Sequence, residues 1–453
     1  MHEHQRAPVV LGHRVQPVEG PVVPRASVHA LTVARERARH PDARARWAEG
    51  ALSCLHLGVL DSETAPPGTR RQRARLRADP AERRAADRLR VAVLGPSRYP
   101  VAEPYAGGLE SFVGNLVAGL RARGHRVLLF AAAGSPGAQP EALSGGGWRP
   151  DELARADASM PAEAFMVEHH SHLDVLTALR TTYAGEVDVV HNHSLHYLPL
   201  SLADTLPVPV VTTLHTPPTP WLTSALAAGG GSGAFTAVSS FTARQWAPWV
   251  PHAQVVLNGV EPRRWPLGPG GRGLLWFGRI VPEKAPHLAL RAAARAGHHL
   301  DVVGPVGDEE YFAAQVAPRL GAGATYRGHL GGDDLARVVG RASAVLMTPS
   351  WDEPFGLVAA EAAMSGTPVV AFDRGGVSEV LRPHVLPAMG AVVPADDVEA
   401  MAGAVEDVLA LDRRDVRRAA LAHLSFERAV SAYESILRSV AARTAVQLDV
   451  AAS

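Results

Sequence analysis

The sequence has a single cysteine, no net charge and no long hydrophobic run. Cys54 has no intramolecular disulfide partner, so the composition gives no support for an oxidising compartment. No segment approaches the roughly 18 consecutive apolar residues of a membrane span, and residues 1–20 lack the basic-then-apolar pattern of a signal peptide. Lys plus Arg equals Asp plus Glu at 45 each, so no nucleic-acid partner is expected. These absences favour a cytoplasmic protein.

The composition is otherwise that of a globular protein, at a length that predicts two domains. Hydrophobic residues occupy 47% of the 453 positions and charged residues 20%, which is an ordinary balance. A chain of this size exceeds the range in which one hydrophobic core keeps growing. We predict an N-terminal domain over residues 89–262, a C-terminal domain over 263–425, and a final helix and tail over 426–453.

Residues 1–88 differ in composition from the rest of the chain. They contain 16 arginines and 10 acidic residues, include the run Arg70-Arg71-Gln72-Arg73-Ala74-Arg75, and show no sustained periodicity. This composition predicts a poorly ordered extension. Two alternatives stay open. The segment is a basic arm that binds a partner or makes peripheral contact with anionic lipid, or the start codon is assigned too early.

From residue 89 onward, apolar runs of strand length alternate with helix-compatible segments. The predicted strands are 89–95, 126–132, 187–191, 208–214, 235–239, 254–257, 273–279, 300–303, 344–347 and 368–372, and the clearest helices are 109–123, 286–296, 309–320, 357–364 and 426–437. Such alternation predicts two parallel sheets, each covered by helices on both faces. Ligands of such sheets bind outside the carboxyl ends of the strands, so the cleft between the domains is the expected site.

Two glutamates bracket the segment Glu353-Pro354-Phe355-Gly356-Leu357-Val358-Ala359-Ala360-Glu361. Seven residues, about two helical turns, separate them, so both can face one direction from the start of one helix. Free backbone N–H groups at a helix N-terminus bind phosphate well, and a glutamate within the helix can accept hydrogen bonds from ribose hydroxyls. A capped amphipathic helix with two solvated acids has the same spacing, so this segment alone does not distinguish a ligand site from an ordinary surface helix.

A second segment, Gly278-Arg279-Ile280-Val281-Pro282-Glu283-Lys284, directly follows the first predicted strand of the second domain. Arg279 and Lys284 place two donors at the carboxyl end of that strand, where a diphosphate would need neutralising. The alternative is a surface lysine at a helix start, but a cation there is unfavourable against the helix dipole. That unfavourable position favours a bound anion.

A third segment, Tyr105-Ala106-Gly107-Gly108-Leu109-Glu110, follows the first strand of the first domain. Paired glycines before a helix allow the backbone to approach a ligand closely. The pattern is neither the Gly-x-Gly-x-x-Gly dinucleotide fingerprint nor a phosphate-binding P-loop.

Together and in this order, the three segments resemble the retaining GT-B glycosyltransferases of family 4. The resemblance covers about residues 89–440 and implies an α/β fold of two Rossmann-like, doubly wound parallel-sheet domains that face a cleft. It implies transfer of a hexose from a nucleotide-sugar to an acceptor, with retention of configuration and no cofactor. Residues 99–108 and 282–289 resemble a bacterial subgroup that includes pteridine glucosyltransferases, which suggests UDP-glucose as the donor.

The resemblance also implies roles for individual residues. The donor-binding set is Gly107, Gly108, Arg279, Lys284, Glu353, Phe355, Gly356, Leu357 and Glu361, in which the cations hold the diphosphate, Glu353 contacts the donor sugar and Glu361 the ribose. His215 and Glu353 are the catalytic candidates beside the reacting sugar. The family implies front-face attack, in which the leaving phosphate accepts the acceptor's proton, so a dedicated catalytic base is not required.

Metal binding is not expected. Cations and helix N–H groups can stabilise the leaving group, and the sequence has no Asp-x-Asp motif. The histidines at 169–172 and 191–196 match no helical zinc motif and have no cysteine beside them. We expect His191 and His193, at the end of a predicted strand, to contact the acceptor, His169–His172 to form a polar helix face, and Trp221, Trp246, Trp249 and Trp265 to pack in the core or linker.

Two other functions share the expected donor site. One is a GT-B-fold epimerase or sugar-nucleotide hydrolase, and the other is a donor-binding protein without turnover. The presence of Arg279, Lys284, Glu353 and Glu361 argues against the latter. The sequence identifies neither the acceptor nor the oligomeric state, since acceptor specificity resides in variable loops that carry no general code.

Overall fold

The computed structural model describes residues 88–451, apart from 142, 144–147, 230–232, 383–384 and 386–387, and describes no side chains for 445–451. The predicted N-terminal extension therefore lies outside the described residues, except for Arg88. Within the described part, two six-stranded parallel sheets are each flanked by helices. The predicted α/β class with two doubly wound sheets is confirmed.

The first sheet has the strand order β2-β1-β3-β4-β5-β6. Its strands are β1 Arg90–Leu94, β2 Arg126–Phe130, β3 Val189–Asn192, β4 Val210–Leu214, β5 Ala234–Ala237 and β6 Gln254–Val255. Its helices are α1 Gly108–Ala122, α2 Glu152–Ala156, α3 Glu163–Arg180, α4 Leu198–Ser201, α5 Pro220–Ala227 and α6 Ser240–Trp246, with a 3₁₀ turn at Ala203–Thr205. The strand order reverses between β1 and β3, so their carboxyl ends form the switch point at which such sheets bind ligands.

The second sheet has the order β12-β11-β10-β7-β8-β9. Its strands are β7 Leu274–Phe277, β8 Leu300–Val303, β9 Ala324–Tyr326, β10 Ala344–Met347, β11 Val369–Phe372 and β12 Gly390–Val393. Its helices are α7 Pro286–Ala296, α8 Glu309–Tyr311, α9 Gly332–Arg341, α10 Leu357–Met364, α11 Val377–Leu381, α12 Val398–Gly403, α13 Val405–Leu409 and α14 Arg413–Leu424. The switch point here lies between β7 and β10.

Most predicted elements are confirmed to within two residues, and the exceptions have local causes. The helix predicted over 309–320 is wrong as one element, since α8 is followed by a π turn at Phe312–Val316 and a 3₁₀ turn at Ala317–Arg319. Pro318 lies in that last turn, where its missing N–H interrupts helical hydrogen bonding. The edge strands β9 and β12 were not predicted; β9 has only three residues, and β12 begins at Gly390, a residue type that is depleted in strands.

The C-terminal helix, α15 Phe426–Ala451, packs on the first domain. Its buried face, including Val430 and Tyr433, shares a hydrophobic cluster with Val91 and Phe112. A Cβ on Gly119 of α1 would lie only 2.8 Å from the Val430 side chain, so that glycine lets the two helices approach closely. The last helix thus adds to the core of the first domain, although it follows the second domain in the chain.

Candidate active site

The loops after β7 and β10 meet because these strands are neighbours in the second sheet, with Leu275 paired to Val345. The loop after β7 carries Arg279 and Lys284, and the loop after β10 carries Glu353. Both loops therefore lie at the switch point of the sheet, where a ligand is expected.

Lys284 and Glu353 form an ion pair across these two loops. Side-chain exposure is 24% for Lys284 and 9% for Glu353, so the pair is shielded but reachable from solvent. The Lys284 ammonium also lies 5.1 Å from the ring centroid of Trp351, within cation–π range. Lys284 is the only lysine in a chain with 44 arginines, and a compact ammonium is not interchangeable with a planar guanidinium.

The backbone around Glu353 is fixed by a pair of glycines after β11, to which the sequence interpretation gave no role. Gly375 has φ +70°, and a Cβ there would lie 2.0 Å from the Glu353 carbonyl oxygen. The Gly376 N–H donates to that same oxygen over 2.7 Å. A side chain at 375 would therefore displace Glu353, so the glycine is required by close approach as well as by φ.

Helix α10 begins directly after this loop. Gly356 caps it in the left-handed region with φ +99°, and no side chain caps the first N–H groups. Phe355 is buried, which holds the turn in place, and Leu357 is the first helical residue. Uncapped N–H groups beside a lysine form an anion-binding arrangement.

Glu361 lies inside α10, and the pKa of its carboxyl is raised. Burial raises the pKa of its carboxyl to about 8, although the nearby positive charge of Arg264 opposes the shift. Arg264, from the segment that joins the two sheets, forms an ion pair with Glu103 and lies 5.7 Å from the Tyr105 ring centroid. Arg264 was missed by the sequence interpretation because it belongs to no motif, and only the fold brings it near Glu361.

Arg279 is directed differently from Lys284. Its guanidinium is 57% exposed and lies 4.0 Å from the Glu283 carboxylate. It also acts on Glu110 of α1, whose pKa is raised by burial and lowered by the charge of Arg279. Of the predicted set, the structure pairs Lys284 with Glu353, while Glu361 has Arg264 as its nearby cation and Arg279 faces Glu110. The convergence of all four on one diphosphate stays a prediction.

The first domain approaches α10 through its paired glycines. Gly107 precedes α1 and Gly108 begins it. A Cβ on Gly108 would lie 2.6 Å from Leu357 Cδ1, so a larger residue would displace the Leu357 side chain at the start of α10. From the sequence, we expected this glycine to let a ligand approach the backbone closely. In the structure, it also lets Leu357 of the second domain approach.

A second contact joins the domains beside Glu353. The N–H groups of Ser240 and Phe241, at the start of α6, donate to the Glu379 carboxylate over 2.7 and 2.6 Å. Ser239 Oγ donates to the Pro354 carbonyl oxygen over 2.6 Å. The loop that carries Glu353 is therefore hydrogen-bonded to the first domain.

At the first switch point, three neutral histidines lie together, of which His191 and His193 are buried. His193 Nδ1 lies 2.9 Å from His215 Nε2, and His191 Nε2 lies 2.9 Å from Thr213 Oγ1. Burial lowers the pKa of His191 and His215 to about 3 and that of His193 well below its usual value. His191 and His193 have no exposed surface, and His215 is partly exposed. Of the three, His215 alone offers surface to a ligand, and acceptor contact by the other two stays a prediction.

Two further sequence interpretations are wrong. The segment His169–His172 is not a polar helix face, because His172 is buried and stacks on His196 with ring centroids 4.1 Å apart. Trp246 and Trp265 do pack in the core, but Trp221 is 67% exposed and Trp249 42%. Periodicity did not reveal these placements, since both depend on contacts between distant segments.

Among the described residues, no group of three or more His, Cys, Asp or Glu side chains is arranged to hold a metal ion. In the same part of the chain, no helix has the length and hydrophobicity needed to cross a bilayer.

Comparisons with known proteins follow the same division of the chain. The family model "Glycosyltransferase Family 4" matches residues 106–264, and "Glycosyl transferases group 1" matches residues 262–422. D-inositol 3-phosphate glycosyltransferase from Mycolicibacterium vanbaalenii is 31% identical over 400 residues, which cover 74% of this chain and 85% of the relative. The chain belongs to glycosyltransferase family 4. The membership of family 4 predicted from the three motifs is thereby confirmed, while retention of configuration and the finer subgroup stay predictions.

Other members of the family match over shorter stretches. Glycogen synthase from Mycobacterium tuberculosis (strain ATCC 25618 / H37Rv) is 30% identical over 269 residues, or 52% of this chain. The match spans 63% of the length of that glycogen synthase, just under two thirds.

Solved structures show the same fold. AviGT4, a glycosyltransferase involved in avilamycin A biosynthesis, superposes with a TM-score of 0.57 at 25% identity, covering 78% of this chain and 98% of AviGT4. Sucrose-phosphate synthase from Thermosynechococcus elongatus gives a TM-score of 0.60 at 18% identity, covering 79% and 100%. The GT-B arrangement expected from the motifs is therefore shared with these enzymes.

Proposed function

We propose that this family 4 member transfers a hexosyl group, most simply glucose, from a UDP-sugar to an acceptor hydroxyl with retention of configuration and without a metal ion. The observation that carries the proposal is the Lys284–Glu353 pair beside the uncapped N-terminus of α10. A cation, a carboxylate and free N–H groups lie near one switch point in this arrangement. A diphosphate would bind the cation and the N–H groups, and sugar hydroxyls would donate to the carboxylate.

The donor site follows from these groups. Lys284 and the first N–H groups of α10 bind the diphosphate, and Arg279 adds charge from the exposed side. Glu353 accepts hydrogen bonds from donor-sugar hydroxyls, and Glu361 from the ribose. Support for UDP-glucose comes from Anabaena HepE, a structural neighbour at 16% identity that was crystallised with UDP and glucose.

The reaction is a displacement at the anomeric carbon. The bond from that carbon to the diphosphate oxygen breaks, a bond to the acceptor oxygen forms on the same face, and the acceptor's proton passes to the leaving phosphate. Lys284, Arg279 and the α10 N–H groups stabilise the charge that develops on the phosphate. His215 is neutral at pH 7 because its pKa is about 3, so it contributes a hydrogen bond and not a charge.

Residue-level likeness to the pteridine glucosyltransferase subgroup, in segments 99–108 and 282–289, is further support for a glucose donor. The names of the relatives indicate different acceptors, glycogen in one case and inositol 3-phosphate in another. Similarity therefore does not identify the acceptor of this chain, which has to be found by screening.

The decisive experiment is to incubate the purified full-length chain with UDP-glucose and EDTA, with and without a library of acceptors, and to follow UDP release and product mass. We expect UDP release that depends on an acceptor, and an α-configured product by NMR. Acceptor-independent release or isomerised sugar would contradict transfer, a β product would contradict retention, and activity that requires added metal would contradict metal independence.

Lys284 gives a second, independent readout. As it is the only lysine, the dialdehyde of periodate-oxidised UDP followed by borohydride should modify one side-chain amine, and excess UDP should protect it. Peptide mapping separates this product from modification of the terminal amine. Labelling elsewhere, or labelling that UDP does not prevent, would place the nucleotide away from Lys284.

A further inference from the structure

Exposed apolar side chains gather at the carboxyl edge of the first sheet. Tyr99 follows β1, Leu195 follows β3, and Trp221 lies at the start of α5 after β4, with exposures of 55%, 49% and 67%. Phe165, near the start of α3, is 38% exposed. Two of these exposed rings, Phe165 and Trp221, lie in contact with each other, and paired exposed rings at a ligand-binding edge differ from the scattered apolar residues of an ordinary surface.

Ring contacts connect this surface to the interior. Trp221 and Phe165 have centroids 6.4 Å apart, and Phe165 stacks on His169 at 5.8 Å. The Tyr197 hydroxyl lies 3.0 Å from His169 Nδ1. The series continues through His196 to His172. We call this series the ring ladder; its members are Trp221, Phe165, His169, Tyr197, His196 and His172.

The buried end of the ring ladder keeps two ring nitrogens without a partner among the described residues, namely Nε2 of His172 and Nε2 of His196. His172 Nδ1 donates to the Glu168 carbonyl over 2.8 Å, which leaves its Nε2 as an acceptor. The Leu198 N–H donates to His196 Nδ1 over 3.2 Å, which leaves a proton on His196 Nε2. The two stacked rings thus keep one acceptor and one donor without a partner among the described residues.

The ring ladder is uncharged near neutral pH. Burial lowers the pKa of His196 to about 3 and also lowers those of His169 and His172. The charges that act on these three histidines come from other histidines and from Glu168, which bonds to Ser97. An anionic ligand would need guanidinium or ammonium partners, which these groups do not supply.

The exposed end of the ring ladder shares a segment with the candidate reaction centre. Trp221 lies six residues after His215, in the segment that follows β4. A compound that packs on Trp221 therefore lies at the same edge of the first sheet as His215, the histidine that the proposed function places next to the reacting sugar.

We propose that the exposed end of the ring ladder, Trp221 and Phe165, belongs to the acceptor subsite and selects an uncharged, hydroxyl-bearing ring compound whose apolar face packs against these two rings. The proposal rests on the proposed transferase function and adds the acceptor class to it. Two sources share this chemistry, the apolar face of a pyranose and the face of a phenolic ring. Stacking on aromatic side chains supplies affinity without charge.

The test uses saturation-transfer NMR on the full-length protein with maltose, a simple phenol and myo-inositol 1-phosphate as probes. We expect contact with maltose or the phenol, and the stronger of the two identifies the source. Trp221→Ala and Phe165→Ala should weaken that contact at least fivefold, whereas Trp221→Phe should retain most of it. Trp249→Ala is the matched control, since Trp249 is also an exposed tryptophan but follows the far end of α6.

Three results would overturn the assignment: stronger contact with myo-inositol 1-phosphate than with both neutral probes, no contact with either neutral probe, or unchanged contact in Trp221→Ala. UDP affinity, measured by calorimetry on the same samples, should be equal in all variants. If the unmodified chain does not bind UDP, the proposed function is contradicted. The NMR contacts with the neutral probes test the ring surface separately from that result.

Discussion

The two domains place their candidate sites at equivalent switch points but use opposite chemistry there. In the second domain the site is built from charges, chiefly the partly exposed Lys284 and the buried Glu353. In the first domain it is built from buried neutral histidines, such as His191 and His193. The shared topology determines where each site lies, while the side chains determine what it binds. A charged donor group suits the first arrangement, and a neutral acceptor suits the second.

Acid should affect the first-domain site most strongly. Burial lowers the pKa of five histidines there, His172, His191, His193, His196 and His215. Below about pH 6.5 the unfolded chain therefore binds more protons than the folded one, so the free energy of unfolding falls as pH falls. Each histidine lowers the free energy of unfolding by up to about 1.4 kcal/mol per pH unit. The sum over the five histidines is comparable with the stability of a domain.

Urea unfolding at pH 7.5, 6.5 and 5.5 checks this expectation. The midpoint should be nearly constant between the first two values and should drop steeply between the last two. A midpoint that stays level down to pH 5.5 would mean that the histidines remain protonatable in the folded protein, which would contradict their burial.

Replacing Lys284 should have the largest effect on catalysis. Lys284→Ala removes the ammonium that faces the diphosphate and should lower kcat/KM by about 10²–10³-fold, the usual loss for one electrostatic contact to a leaving group. Lys284→Arg should recover little of this, because a planar guanidinium does not occupy the place of a compact ammonium. Steady-state kinetics with UDP-glucose measures both. Arg291→Ala, which alters an arginine of α7 away from Glu353, is the control and should stay within twofold.

Gly375→Ala should disturb Glu353 without changing any charge. The added Cβ would lie 2.0 Å from the Glu353 carbonyl oxygen, at a position with φ +70°. We expect a destabilisation of about 1–3 kcal/mol from the strained backbone and a loss of activity at temperatures where the variant is folded. Gly185→Ala also has positive φ, +76°, but has no atom within 4 Å of its Cβ. It should cost stability and spare activity, and equal activity losses in both variants would contradict the role of Gly375.

Donor affinity should depend on pH through Glu361. The pKa of this carboxyl is about 8, and ribose hydroxyls donate to its ionised form. UDP affinity should therefore rise by about tenfold from pH 6.5 to 8.5, as the carboxylate becomes populated. In Glu361→Gln the affinity should be lower and nearly independent of pH. Calorimetry at both pH values measures this, and the same pH profile in both proteins would place the ribose elsewhere.

The smallest effect is expected at the contact between the domains. Glu379→Gln keeps the shape but removes the charge that accepts the Ser240 and Phe241 N–H groups. We expect kcat to fall by about three- to tenfold, as for the loss of one charge-assisted hydrogen bond, with UDP affinity unchanged. Glu379→Asp should recover part of the rate. A change in UDP affinity alone would indicate that Glu379 acts on the donor directly.

The sequence predicted the fold and the loops that carry the candidate donor site because their signals are local. Apolar runs predicted the strands that form the central part of each sheet, and three short motifs predicted the loops at the switch points. Gly356, Leu357 and Lys284 lie where those motifs place them. The edge strands β9 and β12 gave a weaker signal, because β9 has only three residues and β12 begins at a glycine, a residue type that is depleted in strands.

The first-domain site was predicted less completely, since its features depend on contacts between distant segments. His172 and His196 are 24 residues apart, and their stacking cannot be read from either neighbourhood. Tryptophan is a large, mostly apolar residue that is expected in a core, yet the position of Trp221 at the start of α5 leaves it exposed. Arg264 and Glu379 lie outside the three motifs, and only the packed chain brings them to Glu361 and to the start of α6.

By itself the sequence determined which strands form, which loops follow them and which family the chain resembles, because hydrophobic periodicity and short motifs act over a few residues. Tertiary structure decided which charges pair, which histidines become neutral and which rings remain exposed. These properties depend on burial and on distances between residues far apart in the chain, and burial is what sets the pKa of a group and the surface that is left for a ligand.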